Sequence, residues 1–174
     1  MRRILILYST VDGQTRKIAQ RMQSRLQATE NQVQLAEIDH PPKEMSGFDT
    51  LVIGASIRYG KYRPSVIDFV KANQGMLEHK RSAFFSVNLV ARKPEKNSAD
   101  TNPYVAKFLK MVPWQPQLLD VFAGSLNYPA LGFWDRNIIR FIMWITKGPT
   151  KPSTVREFTD WGRVEAFADR VAGE

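Results

Sequence analysis

The sequence predicts an α/β protein in which a parallel five-stranded sheet is covered by helices on both faces. Short apolar segments recur along the chain, and segments with helical periodicity follow them, which is the alternation that builds parallel sheets. The first, third and fourth apolar segments lack polar alternation, as strands buried on both faces do. The second segment alternates and therefore belongs at a sheet edge, which favours the strand order 2-1-3-4-5.

The elements follow from this periodicity. Strands are predicted at Ile4–Tyr8, around Val33 and Leu35, at Leu51–Ala55, at Ala83–Val87 and at Leu118–Leu126. The first helix has an apolar face formed by Ile18, Ala19, Met22 and Leu26, and Thr15 or Asp12 could cap it. Further helices are predicted from Pro64, from about Asn102 to Met111, and after a capping Asp160.

The segment from Asn127 to about Thr154 interrupts this alternation. On a predicted helix, basic and polar residues fall on one side (Arg136, Asn137, Arg140) and apolar residues on the other (Trp134, Ile138, Phe141, Ile142, Ile145). Such a basic amphipathic helix can lie in a membrane interface, or it can pack against the sheet or a subunit partner. We expect residues 1–174 to form one domain with an insertion at about 127–154, after which Val155–Phe158 resumes the last strand.

Composition restricts the possible chemistry. The 174 residues include no cysteine, which excludes disulfides, thiolate catalysis and cysteine-ligated iron–sulfur clusters. With only His40 and His79, no metal site is expected. The formal net charge of +8 favours an anionic partner such as nucleic acid, anionic lipid or an acidic small molecule, although a solvated basic surface is the alternative. Neither a signal peptide nor a membrane span is expected, so a cytosolic setting fits.

Two loops indicate a ligand site. Ser9–Thr15 joins the first strand to a helix, and such a junction offers backbone N–H groups, hydroxyls and a helix dipole to an anion. By itself this stretch is equally consistent with a capped helix that binds nothing. Ser56–Gly60 follows the third strand, however, and the strand order 2-1-3-4-5 brings both loops to the switch point where such sheets bind ligands. Their convergence favours a bound phosphate.

The side chains offer little chemistry of their own. The first loop lacks the GxxxxGK and GxGxxG patterns, and neither histidine has an evident nucleophile partner. A cofactor is therefore expected to carry any reaction. A flavin suits the site, because Tyr59 could stack on its ring, backbone N–H groups of 56–60 and 88–92 could meet its polar edge, and Arg58 or Arg92 would favour the anionic reduced ring.

Two sets of residues resemble known families. Thr10-x-x-Gly13-x-Thr15-x-x-x-Ala19 resembles the flavodoxin signature, with departures at Val11 and Met22. Four further segments together resemble the bacterial menaquinone-dependent protoporphyrinogen IX dehydrogenases: Gly54–Gly60, Phe85–Lys96, Trp134-Asp135-Arg136 and Thr159-Asp160-Trp161. The resemblance implies a flavodoxin-like three-layer sandwich that binds FMN and has an insertion in its last strand.

The resemblance also implies a function. Members of the dehydrogenase family remove six electrons from protoporphyrinogen IX to give protoporphyrin IX in haem biosynthesis. A respiratory quinone, menaquinone or ubiquinone, accepts the electrons at the cytoplasmic face of the bacterial inner membrane, where the protein is peripheral and contacts an anionic membrane surface. The alternatives are a general flavodoxin-like quinone reductase or electron-transfer flavoprotein. A basic nucleic-acid-binding module ranks lower, and no nucleic acid is expected as a partner because no such motif is present.

The predicted site residues fall into three groups, and no catalytic side chain is expected because the chemistry is flavin-borne. FMN is expected to contact Ser9, Thr10, Asp12, Gly13, Gln14, Thr15, Ser56, Ile57, Arg58, Tyr59, Gly60, Asn88, Leu89, Val90, Ala91 and Arg92. Substrate propionates are expected at Arg58, Arg92 and Lys93. The membrane interface is expected at Trp134, Arg136, Arg140, Trp144 and Lys147.

Overall fold

The computed structural model describes residues 1–173. Its main sheet has five parallel strands in the order β2-β1-β3-β4-β5, which confirms the predicted fold class and strand order. The strands are β1 (Arg3–Ser9), β2 (Gln32–Glu37), β3 (Thr50–Ser56), β4 (Arg81–Asn88) and β5 (Leu118–Ala123). β1, β3 and β4 are buried along almost their whole length, whereas β2 is exposed or half-buried throughout, as an edge strand should be.

Helices cover both faces of the sheet. They are α1 (Gln14–Ala28), α2 (Pro64–Ala72), α3 (Gln74–His79), α4 (Pro103–Met111), α5 (Phe133–Ile145) and α6 (Trp161–Ala172). Helices α1 and α6 share one apolar core with Ile4, Ile6 and Phe85, and α2 and α4 share another with Leu5 and Phe84. Successive side chains along each strand therefore point into two different cores, one on each face of the sheet. The short helix α3 was not predicted, because its single buried residue gives no periodic signal.

The helix starts agree with the sequence only in part. Pro64 occupies the first turn of α2, and the Asp160 side chain accepts a hydrogen bond from the Arg163 backbone N–H at the start of α6, both as predicted. The prediction that Thr15 or Asp12 caps α1 is wrong. Gly13 precedes α1 with a left-handed φ of 89°, a conformation that glycine adopts without steric cost. Since glycine has no side chain to cap the helix, α1 begins with no side-chain cap.

The insertion begins and ends differently from the prediction. β5 stops at Ala123, and a short strand β6 (Ser125–Asn127) pairs antiparallel with β7 (Val155–Glu157) in a separate two-stranded sheet. The expectation that 155–158 resumes the last strand is wrong, because the chain returns from the insertion in the opposite direction. The returning chain still reaches the end of β5, where the Phe158 N–H donates to the Gly124 carbonyl at 3.0 Å.

Helix α5 lies in the insertion and packs on the protein through part of its surface. Ile139 and Met143 are buried in a small core with Leu126 and Tyr128. The Tyr128 hydroxyl donates to the Pro149 carbonyl at 2.7 Å, which ties the segment after α5 to the segment before it. The insertion is therefore folded onto the sheet edge through its own small core.

The contact between β3 and β4 gives a stability prediction. A Cβ atom at Gly54 would overlap the ring of Phe85, which is fully buried and cannot move aside freely. We expect Gly54→Ala to lower the free energy of unfolding by about 1–3 kcal/mol through overpacking. Urea unfolding measures this difference. Gly75→Ala is the control, because a Cβ there meets open space and a helical alanine is favoured, so a loss of stability in both variants would contradict the prediction.

Candidate functional site

A cavity of about 430 Å³ opens at the carboxyl edge of the sheet. Parallel pairing aligns Ser9 of β1 with Ala55 of β3, and Ser56 of β3 with Val87 of β4, so the loops after these strands meet. All the predicted FMN-binding residues except Ser9, Gly13 and Ala91 line the cavity. The structure thus brings together three loops that are far apart in the sequence, as the strand order predicted.

The first loop presents hydroxyl groups at the start of α1. Thr15 is fully buried and its Oγ1 atom has no hydrogen-bond partner among the described residues, and the same holds for the Oγ atom of the buried Ser9. A buried hydroxyl without a partner is costly, so a ligand that accepted a hydrogen bond from it would remove that cost. Thr10 has a different role, because its Oγ1 atom accepts a hydrogen bond from the Gly13 N–H at 2.9 Å and shapes the turn.

Arg58 joins three segments at the mouth of the cavity. Its guanidinium contacts Asp12 of the first loop at 2.6 Å and Asp135 of α5 at 2.9 Å. Tyr59 donates from its hydroxyl to the same Asp135, and this hydrogen bond lowers the pKa of Asp135. Asp135 therefore holds α5 to the second loop, and Asp12 is engaged by an arginine through its side chain.

Tyr59 has an unusual backbone conformation for a residue with a side chain. Its φ is 50°, in the left-handed region, and its ring lies against the Arg58 guanidinium at 5.1 Å. Such conformations cost about 1–3 kcal/mol and are concentrated at functional sites. Tyr59 lines the cavity while 43% of it stays exposed, so its predicted stacking on a flavin ring is compatible with its position and remains a prediction.

A buried polar network supports the third loop, 88–92. The Asn88 Oδ1 atom accepts from the Ala91 N–H at 3.1 Å and from the Asn102 side chain at 3.1 Å. The Asn88 side chain also donates to Ser86, which accepts from the Tyr62 hydroxyl at 2.8 Å. Burial raises the pKa of Tyr62, so the hydroxyl stays a donor. The loop is consequently fixed by hydrogen bonds before any ligand binds.

The arginines and lysine assigned to substrate propionates have other surroundings in the structure. Arg58 already contacts two carboxylates. The Arg92 guanidinium lines the cavity but donates to the carbonyl oxygens of Leu89 and Thr146, and burial lowers its pKa. Lys93 lies outside the cavity lining. The pairing of these residues with propionates remains a prediction, and at Arg58 a propionate would compete with two carboxylates that are already bound.

Known proteins resemble this chain closely in sequence. Residues 5–153 match the model of a flavodoxin domain family. The protoporphyrinogen IX dehydrogenase (quinone) of Escherichia coli strain K12 is 43% identical over 97% of this chain and 93% of its own length. A protein of that name from Leishmania major is 43% identical over 97% of this chain and 74% of its own. The chain belongs to the flavodoxin-like protoporphyrinogen IX dehydrogenase family. The resemblance predicted from the sequence is thereby confirmed.

The fold also resembles that of solved flavodoxins. The crystal structure of oxidised Flavodoxin 1 from Bacillus cereus superimposes with a TM-score of 0.57 at 16% identity, covering 99% of this chain and 98% of that one. This likeness confirms the flavodoxin-like fold. Membership of the flavodoxin family also supports FMN as the cofactor of this family member.

The residues of the first loop fit the phosphate of FMN. The phosphate is a dianion, and the site offers the start of α1 and the buried hydroxyl of Thr15, which has no other partner among the described residues. Lys17 in the first turns of α1 also lines the cavity and adds a positive charge. The Gln14 side chain is already engaged, because it donates to Glu157 and Thr159, so it positions the loop against the end of the insertion.

Several lining residues were not identified from the sequence. They include Lys17, Tyr104, Leu131, the segment 124–127 and the inner side of α5 with Ile139, Ile142 and Met143. Local periodicity could not place the insertion, because its return over the cavity depends on contacts distant in sequence. One feature of the sequence could have indicated that α5 contacts the cavity. The apolar residues of α5 are too numerous for one face, which indicates a helix with two apolar surfaces.

Thr15 gives a direct test of the phosphate site. We expect Thr15→Val to weaken FMN binding by roughly tenfold to a hundredfold, because a hydrogen bond to a charged group is lost, worth about 1.5–3 kcal/mol. Quenching of FMN fluorescence on titration with apoprotein measures the dissociation constant. Thr50→Val is the matched control, since Thr50 is equally buried and its hydroxyl also has no partner among the described residues, but it lies at the opposite edge of the sheet. Equal effects of the two substitutions would contradict the assignment.

Proposed function

We propose that this protein oxidises protoporphyrinogen IX to protoporphyrin IX with FMN as cofactor and a quinone as electron acceptor. The observation that carries the proposal is the 43% identity to the dehydrogenase of that name across 97% of the chain. The matched region includes the insertion, because it extends over nearly the whole of both proteins. Menaquinone is the proposed acceptor and ubiquinone the second candidate, on the strength of the resemblance at 54–60 and 85–96.

The residues of the cavity account for binding and orientation. Thr15 and Lys17 hold the phosphate end, and the fixed loop 88–92 lines a further part of the cavity. When bound, FMN supplies the redox chemistry by taking two electrons from the porphyrinogen and giving them to the quinone, in three rounds per porphyrin. The Arg58 contact with Asp12 keeps that carboxylate from opposing the bound phosphate.

The electron donor separates this function from the alternatives. We expect the FMN-loaded protein to reduce a soluble naphthoquinone rapidly with protoporphyrinogen IX under anaerobic conditions, and slowly or not at all with NADPH. Protoporphyrin fluorescence and quinone absorbance measure the two products. Rapid turnover with NADPH and none with the porphyrinogen would contradict the proposal in favour of a general quinone reductase or electron carrier. Comparing menaquinone with ubiquinone analogues tests the preferred acceptor.

We also propose that the protein binds peripherally to an anionic membrane, at the cytoplasmic face of the bacterial inner membrane. Within residues 1–173 no helix has the length and apolar character needed to cross a bilayer. Helix α5 nevertheless exposes a continuous apolar surface, which we term the outer face: Phe133, Trp134, Ile138, Phe141, Trp144 and Ile145. Trp134 is 77% exposed and Trp144 is 69% exposed. Exposed patches of this kind mark interaction sites.

The positive charge of the chain supports the proposal that the outer face contacts an anionic lipid surface. The chain has a formal net charge of +8, and the exposed Lys147 and Lys151 follow α5 directly. Tryptophan beside basic residues is typical of helices that lie in the headgroup region of a membrane. Arg136 and Arg140 are also predicted at this interface, and both are half-buried and donate to the carbonyl oxygens of Leu131 and Thr150. Their charges add to the surface potential, but their side chains secure the insertion.

Vesicle binding tests this proposal. We expect Trp134→Glu combined with Trp144→Glu to reduce binding to phosphatidylglycerol-containing vesicles by about tenfold or more, since apolar burial and net charge are both lost. Sedimentation with vesicles measures binding, and FMN content should not change. Met111→Glu is the control, because Met111 is an exposed apolar residue on α4. Equal sedimentation of the double variant and the parent would contradict the proposal, as would a stable dimer that buries the outer face.

A further inference from the structure

The cavity continues beyond the loops into an apolar chamber beneath α5. Its walls are formed by Leu126, Leu131, Ile139, Ile142 and Met143, which we term the inner chamber. Met143 is almost completely buried, and Ile139 and Leu126 pack beside it in the small core of the insertion. This apolar end is joined to the end that presents Thr15 and Ser56, so a single cavity has one polar and one apolar part.

Two arginines near the inner chamber are held in place by carbonyl oxygens. Arg92 donates to the carbonyl oxygens of Leu89 and Thr146 at 2.7 and 2.9 Å, and Arg136 donates to Leu131 at 3.1 Å. These acceptors are neutral, so neither guanidinium has an ion pair among the described residues, and of the two only Arg92 lines the cavity. A guanidinium has five N–H donors, and Arg92 makes three hydrogen bonds, to Leu89 and twice to Thr146. Donors remain for a neutral carbonyl oxygen.

We propose that the inner chamber binds the ring of the quinone, with a quinone carbonyl accepting a hydrogen bond from Arg92. This inference rests on the proposed function and assigns a place to its acceptor. A quinone ring is flat, apolar and uncharged, with carbonyl oxygens as its polar atoms, which matches an apolar wall with a single donor group. Protoporphyrinogen carries two propionates, and burying both in an apolar chamber whose one cation among residues 1–173 is Arg92 would be costly. The porphyrinogen therefore enters from the open mouth at Tyr59.

The two surfaces of α5 provide a path for a lipid-soluble molecule. Ile138 belongs to the outer face and Ile142, one turn later, lines the chamber. A quinone that leaves a membrane at the outer face would thus reach the chamber along one helix, in contact with apolar side chains. Asp135 at the start of the same helix is held by Arg58 and Tyr59, which keeps α5 over the cavity.

Substitutions at Ile142 test the chamber. We expect Ile142→Glu, which adds a charge, and Ile142→Trp, which fills the space, each to raise the KM for menadione by about tenfold or more. The dissociation constant of FMN and the rate at which porphyrinogen reduces the bound flavin should change less than about twofold in at least the tryptophan variant, which also controls for misfolding. Met111→Glu, at the last residue of α4 and outside the cavity lining, should leave every one of these values unchanged.

A second readout does not depend on activity. A photoreactive azido-naphthoquinone should label α5 between Ile139 and Met143, and excess menadione should prevent the labelling, as measured by peptide mass spectrometry. Labelling only outside the insertion, or an unchanged KM for menadione in both Ile142 variants, would overturn the proposal. If the Ile142 variants lost flavin reduction by porphyrinogen and kept the parent's KM for menadione, the chamber would be assigned to the porphyrinogen. That result would also overturn the proposal. Failure of the parent protein to oxidise porphyrinogen would refute the proposed function, and the labelling result would be unaffected.

Discussion

The parallel register of β1, β3 and β4 is the constraint on which the site depends. Because these strands run in the same direction and are aligned at Ser9, Ala55 and Ser86, the loops that follow them must meet at one edge. The strands are buried on both faces, so a shift in register would move apolar side chains between the two cores. The close fit of Phe85 over Gly54 fixes the pairing of β3 with β4. Binding geometry therefore follows from core packing.

The insertion adds to this scaffold an apolar helix that lines the cavity. Helix α5 is packed by Ile139 and Met143, anchored through Asp135 to Arg58 and Tyr59, and exposed along its outer face. A helix that is apolar on two sides can contact a membrane with one side and a cavity with the other. In the proposed function this arrangement explains how one small domain serves both a carboxylated porphyrinogen and a lipid-soluble quinone.

Much of the fold could be predicted from the sequence, because strand burial and helix periodicity are local signals. The strand order followed from one alternating segment at Val33 and Leu35, which the structure places in the edge strand β2. The first loop could also be placed at the cavity, since its neighbours define a strand and a helix. What could not be predicted were features decided by distant contacts. The cap of α1 depended on the backbone of Gly13, and the direction of β7 depended on where the insertion returned.

The site residues illustrate the same limit. Arg58 was recognisable as a positive charge near the ligand, but its two carboxylate partners come from residues 46 and 77 positions away. Arg136 and Arg140 fall on the polar side of a helical projection, yet both donate hydrogen bonds to carbonyl oxygens of the insertion and are half-buried. The unpartnered hydroxyl of Thr15 became visible only in three dimensions. Residue type and spacing located the site, and packing determined which groups are free to bind.

An anaerobic titration of the FMN-loaded protein with protoporphyrinogen IX tests the central claim most directly. If the cavity transfers electrons from this substrate to bound FMN, each porphyrinogen should bleach three flavins as fluorescent protoporphyrin appears, and a soluble naphthoquinone should then restore the oxidised spectrum. Flavin that stays oxidised in the presence of porphyrinogen, or that is reduced but not reoxidised by the quinone, would contradict the account.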